Sequence, residues 1–178
     1  FLKGCNLRCF WCHNPEDINP KPEIQYFPER CILCAACVES CVHAAHSMDN
    51  GDHIFQRERC TACGDCIDAC YAKAVVLVGE TMPAEAVVAE VVQDQAFYAS
   101  SGGGVTLSGG EPLLQAGFVR ALFERCKAGG IGTCVETSGC VPSENLLEVL
   151  PLTDHLLFDL KHMDADIHRK YTGRSNGL

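Results

Sequence analysis

The chain has no apolar run approaching the roughly 20 residues that a membrane-crossing helix needs, so no membrane anchor is expected. No secretory signal stands at its start, which is Phe1 rather than Met, and the cytoplasm is the expected compartment. Positive charge is scarce: 14 Lys and Arg against 23 Asp and Glu leave a formal charge of −9. A nucleic-acid partner calls for a basic stripe, and that class is set aside. Within 178 residues, 47% are hydrophobic and 21% charged, which suits one substantial folded domain plus a small one.

Cysteine is abundant instead. Fourteen in a short chain could signal a disulfide scaffold. Eleven of them, however, fall in three tight clusters with gaps of two or three residues, a metal-ligand pattern that belongs in a reducing compartment. The first cluster is Cys5-Asn-Leu-Arg-Cys9-Phe-Trp-Cys12. The others form a repeat, Cys31-Ile-Leu-Cys34-Ala-Ala-Cys37-Val-Glu-Ser-Cys41 matching Cys60-Thr-Ala-Cys63-Gly-Asp-Cys66-Ile-Asp-Ala-Cys70. A unit this small has little core of its own and depends on metal to fold.

The chain divides at residues 1–14, 15–79 and 80–178. Residues 15–30, with Pro15, Pro20, Pro22 and Pro28, read as a linker into the cysteine repeat. From residue 80 helices and strands alternate. Thr81, Pro83 and Glu85 mark a helix start, with Ala84, Val87, Val88, Val91 and Val92 on one face. Residues 104–108 read as a strand, and Leu114, Phe118, Leu122 and Cys126 as a helix ended by Gly129-Gly130. A strand over 131–136, a helix over 143–150, a buried apolar strand over 155–160 and a helix over 164–171 follow, with Phe1-Leu2 as the first strand. Such alternation implies an α/β fold with a parallel sheet, whose ligands bind beyond the C-terminal strand ends. Cys5, Gly109-Gly-Glu-Pro112, Glu136-Thr-Ser-Gly139 and Asp159-Leu-Lys161 all stand at those ends.

Three thiolates in one loop can hold three corners of a cubane cluster and leave the fourth iron open to a substrate. The alternative is zinc completed by His13, but adjacent ligands rarely span tetrahedral corners. Zinc could also fill the eight cysteines of the repeat. Gly109–Pro112 taken alone is a turn before a helix, Trp11 could be local packing, and Asp159 with Lys161 could be a plain salt bridge.

Together these motifs resemble the radical S-adenosylmethionine superfamily, whose hallmark is a C-x₃-C-x₂-C loop. The resemblance implies that Cys5, Cys9 and Cys12 anchor a catalytic 4Fe–4S cluster whose open iron is chelated by S-adenosylmethionine. Reductive cleavage of that cofactor then yields a 5′-deoxyadenosyl radical that abstracts hydrogen from the target. Gly109, Gly110, Glu111 and Pro112 resemble the element that binds the methionine ammonium, and Trp11 the aromatic near the adenine. Glu136 and Thr137 with Asp159 and Lys161 resemble segments that hold a monovalent cation and the cofactor carboxylate, although Asp is commoner at the position of Glu136. The repeat resembles a two-cluster bacterial ferredoxin in which the fourth cysteine crosses over. Carried over, one cluster takes Cys31, Cys34, Cys37 and Cys70, and the other Cys60, Cys63, Cys66 and Cys41. Val42 and Tyr71 replace the proline usual after the fourth cysteine.

A ferredoxin-like insert placed here resembles the glycyl-radical-enzyme activating enzymes, oxidoreductases that abstract hydrogen from a backbone glycine of a partner. The resemblance also covers Trp11-Cys-His-Asn-Pro-Glu16 and Tyr171-Thr-Gly173. It implies a partial (β/α) barrel with about four of six units, three 4Fe–4S clusters, flavodoxin or ferredoxin as electron donor, and a monomer. The rivals are a radical enzyme acting on a small molecule or peptide and a plain electron carrier. Cys126 and Cys134 read as small buried hydrophobes, Cys140 lies near the rim, and His43, His46, His53, His155, His162 and His168 lack paired metal spacing.

Overall fold

The structure is a computed structural model that describes residues 1–177. The chain forms two compact units, Lys21–Thr81, and Phe1–Pro20 together with Met82–Leu178. Among the described residues no helix is long and apolar enough to cross a membrane.

The Lys21–Thr81 unit contains β1 (Glu23–Tyr26), α1 (Ala36–Ser40), β2 (His46–Asp49), β3 (Asp52–Phe55), α2 (Asp65–Asp68) and β4 (Val75–Val78). Strands β1 and β4 pair antiparallel, and β2 and β3 form a hairpin. Asn50 and Gly51 turn that hairpin at φ of 50° and 90°, the left-handed pair that matches the twist of a two-residue loop. Residues 15–30 are therefore not a plain linker. Pro22 and Pro28 flank β1 without interrupting it, and Ile24 is buried beside Tyr26 in the unit's small core with Cys37, Cys66 and Val75.

Residues 15–20 belong instead with the N-terminal loop. A short 3₁₀ turn, Pro15–Asp17, presents carbonyls to that loop. Gly4 donates to Asp17 O at 2.7 Å and Cys5 to Ile18 O at 3.1 Å. These backbone bonds put the join at residue 20 rather than 14.

The larger unit continues with α3 (Ala84–Val92), α4 (Gln95–Ser101), β5 (Gly104–Leu107), α5 (Ala116–Ala128), β6 (Gly132–Thr137), α6 (Ser143–Val149), β7 (His155–Phe158) and α7 (Ala165–Thr172). Strands β5, β6 and β7 make a parallel sheet in that order. Helix α5 is the centre of the core, burying Val119, Leu122, Phe123 and Cys126 against Leu107 of β5 and Val135 of β6. This is a mixed α/β unit.

Four features depart from the sequence reading. Phe1-Leu2 is not a strand: Leu2 makes a single parallel bridge to Gly109. Helix α4 has no counterpart in that reading. The stripe on α5 does not begin at Leu114, because Pro112 opens a 3₁₀ turn over Pro112–Gln115 and shifts the helical phase, burying Leu113 completely and leaving Leu114 40% exposed. Finally, β7 is not buried. It is an edge strand, and Leu156, Leu157 and Phe158 are all exposed.

Candidate functional site

Beyond the C-terminal ends of β5 and β6 lies a cavity of about 380 Å³. Its lining includes Cys5, Cys9, Trp11, Cys12 and His13, followed by Ser108, Gly109 and Gly110, then Glu136, Thr137 and Ser138, and finally Asp159 and Lys161. Residues far apart in the chain thus share one wall because parallel strands deliver their C-terminal ends to the same side.

The paired glycines permit a close approach. The φ of Gly109 is +112°, and a Cβ there would sit 2.7 Å from the backbone of Leu2. A Cβ on Gly110 would meet Gly4 O at 2.4 Å and Asp17 O at 2.8 Å. The N-terminal loop therefore runs directly along this turn, with Gly110 N–H donating to Leu2 O at 2.8 Å and Glu111 N–H to Gly4 O at 2.7 Å. That seam sets the cysteine loop at the cavity.

Glu111 turns inward and does not line the cavity. It is 1% exposed, and its carboxylate accepts from Thr137 Oγ1 at 2.6 Å, Ser138 Oγ at 2.7 Å, Ser138 N at 2.9 Å and Leu113 N at 3.2 Å. In this structure it ties the Gly109–Pro112 turn to the end of β6. Glu136 does line the cavity and accepts from Ser108 Oγ at 2.7 Å. Asp159 and Lys161 form an ion pair. Burial opposes the Lys161 charge, but Asp159 and the thiols of Cys9 and Cys5 outweigh it and lift the group above its ordinary range. Burial pushes the Cys5 and Cys9 thiols up. Trp11 lines the cavity and also lies 6.2 Å from the Tyr171 ring.

In the Lys21–Thr81 unit the eight cysteines of the repeat separate into two sets. One cavity is lined by Cys31, Cys34, Cys37 and Cys70, and another by Cys41, Cys60, Cys63 and Cys66. The repeat is written into the backbone as well. Leu33 and Ala62, Ala35 and Gly64, and Ala44 and Lys73 occupy equivalent places, and every one has positive φ. Such turns aim successive N–H groups inward, a cradle for negative charge. Ala45 N–H lies 3.3 Å from Cys41 Sγ, and Ala74 N–H 3.3 Å from Cys70 Sγ. Burial, with Cys60 nearby, pushes the Cys66 thiol up to about 11. A bound metal cation favours the thiolate form of such a buried thiol. Four-cysteine sets with N–H donors to sulfur fit an iron–sulfur group.

His46 and His53 are a correction, because their spacing in the sequence does not suggest a pair. The hairpin register sets His46 opposite Phe55 and Met48 opposite His53, which brings the two imidazoles together on one face, 3.0 Å apart. The Asn50-Gly51 turn is the signal that could have found them. Among the other expected bystanders, Cys126 is fully buried, Cys134 is half-buried, and Cys140 O accepts from Asn6 Nδ2 at 2.5 Å.

The family description "Radical SAM superfamily" matches residues 59–177, and "4Fe-4S dicluster domain" matches residues 30–75. The chain belongs to the radical SAM superfamily. Within this superfamily it is 45% identical to the (2S)-3-sulfopropanediol dehydratase activating enzyme of Klebsiella oxytoca, covering 99% of this chain and 57% of that protein. It is 44% identical to the trans-4-hydroxy-L-proline dehydratase activating enzyme of Clostridioides difficile, covering 100% and 59%. Against the isethionate sulfite-lyase activating enzyme of Desulfovibrio desulfuricans (strain ATCC 27774 / DSM 6949 / MB) the identity is 42%, covering 99% and 58%. The chain thus spans less than two thirds of the length of each of these relatives.

Proposed function

We propose that the protein installs a glycyl radical on a partner enzyme, using S-adenosylmethionine and three 4Fe–4S clusters. The observation that carries this reading is the cavity of about 380 Å³ where Cys5, Cys9 and Cys12 meet the three strand-end motifs. Relatives whose names specify activating enzymes of dehydratases and a sulfite-lyase support the same reaction class.

On this reading Cys5, Cys9 and Cys12 hold the catalytic cluster and leave one iron for the cofactor. When bound, that pair supplies the electron transfer that cleaves S-adenosylmethionine to methionine and a 5′-deoxyadenosyl radical. The protein's own residues orient and enclose. Gly109 and Gly110 offer backbone carbonyls to the cofactor ammonium, and Glu111 positions that turn through Thr137 and Ser138. Lys161, held by Asp159, faces the carboxylate, while Glu136 and Asp159 are the acceptors for a monovalent cation. Trp11 offers a flat apolar face to the adenine. The ferredoxin-like insertion, spanning residues 15–79 by sequence and Lys21–Thr81 by compactness, carries two further clusters as an electron relay from flavodoxin or ferredoxin. The remainder of the chain supplies about four units of the barrel, and the protein acts as a cytoplasmic monomer.

The test is anaerobic. Reconstituted protein should bind about twelve irons per chain, release 5′-deoxyadenosine with dithionite, and generate a glycyl radical signal on a partner enzyme. Replacing Cys5, Cys9 and Cys12 by Ala should remove about four irons and all cofactor cleavage. Undiminished cleavage in that variant would sink the proposal.

A further inference from the structure

We propose that His46 and His53 form a hydrogen-bonded bridge between the two cysteine-lined cavities, donating one N–H to Cys37 Sγ and one into the second cavity. The bridge raises the reduction potentials of the clusters held there. This rests on the two-cluster reading of the Lys21–Thr81 unit.

His53 lines the cavity of Cys31, Cys34, Cys37 and Cys70, whereas His46 lines the cavity of Cys41, Cys60, Cys63 and Cys66. Both side chains are buried, at 3% and 8% exposure for His46 and His53. His53 Nε2 lies 3.4 Å from Cys37 Sγ and 3.0 Å from His46 Nδ1. The two ring planes lie within 16° of each other with centroids 5.0 Å apart, as an in-plane N–H···N contact requires. Phe55 lies 4.8 Å from His46 with 22° between the ring planes, and Tyr26 meets His53 edge-on at 4.4 Å. The pair is therefore packed among aromatic rings, which restricts its rotation.

The proton positions follow from counting donors. An uncharged imidazole carries one N–H. A metal-bound thiolate only accepts, so the proton of His53 sits on Nε2, shared between Cys37 Sγ and His46 Nδ1. His46 Nδ1 then accepts, and its own proton sits on Nε2. Among the described residues, His46 Nε2 and His53 Nδ1 are both buried without a hydrogen-bond partner, and on this count only His46 Nε2 carries a proton. A buried N–H requires an acceptor, and the cavity that His46 lines is walled by four cysteines. None of those four thiols is its partner in the structure, so the acceptor this bridge requires is sulfur of the group held in that cavity. Donors to cluster sulfur stabilise the reduced, more negative state, which raises the potential.

The experiment uses full-length, anaerobically reconstituted protein in a redox titration followed by electron paramagnetic resonance. His53→Phe should shift one cluster of the insertion to a more negative potential, and His46→Phe should shift the other. His53→Gln keeps a side-chain N–H and should restore much of the shift. The cluster at Cys5, Cys9 and Cys12 should not move. Full iron content with all potentials at parental values would overturn the bridge alone. Parent protein binding only about four irons would overturn the two-cluster reading and the bridge with it, as would one zinc ion held by Cys37, His46 and His53. Where a variant folds poorly, ¹⁵N-histidine labelling of the parent is the second measurement: hyperfine coupling to the reduced clusters is expected, and its absence refutes the bridge.

Discussion

At the scale of single residues, Glu111 ties its motif to the neighbouring strand. Its two carboxylate oxygens satisfy four donors at the end of β6 and in its own turn. Glu111→Ala should lower stability by about 2–4 kcal/mol, measured by anaerobic denaturant unfolding without cofactor. An unchanged midpoint would mean that those donors find water. Asp154 makes a second prediction. The Lys127 ammonium, then the Thr133 N–H, holds its carboxyl at about 2. A depressed carboxyl contributes stability above its unfolded value near 3.9, and the contribution disappears as pH falls through the folded value. The gap in thermal midpoint between the parent and Asp154→Asn should therefore stay constant from about pH 8 to about pH 5. A gap that closes within that range would contradict the assignment.

At the scale of elements, the seam between the N-terminal loop and the Gly109–Pro112 turn is the feature most sensitive to bulk. A Cβ on Gly110 would lie 2.4 Å from Gly4 O, so backbone must move. Gly110→Ala should cost about 3 kcal/mol and weaken S-adenosylmethionine binding, read by thermal unfolding and by calorimetry. Gly117→Ala, on α5 with open space around it, is the control and should be neutral or stabilising. Apart from α4, the helices and central strands of the larger unit are legible in the sequence because their apolar residues follow local periods. Two segments depend on their neighbours. Among the described residues Phe1-Leu2 makes one bridge, and β7, with the composition of a core strand, has β6 as its neighbour on one side.

For the whole molecule, the two units differ in what holds them. The larger has a continuous apolar core around α5. The smaller has a core cluster of Ile24, Val75, Cys37 and Cys66, with Ala45 and Ala74 also buried, and a core of that size is expected to draw much of its cohesion from metal. Chelating the iron should abolish amide protection across Lys21–Thr81 while β5, β6 and α5 remain protected, as followed by hydrogen exchange. Equal protection in both units after iron removal would refute this division.

Cysteine spacing alone marked this protein for metal binding, because ligands within one loop are set by chain geometry over a few residues. The family motifs at the strand ends were equally readable, since parallel α/β topology fixes which end of a strand bears a site. Only the tertiary structure decided that Glu111 faces the core and that His46 meets His53. Those outcomes depend on strand register and on what packs behind each turn, which are properties of pairs of segments and not of any one stretch of sequence.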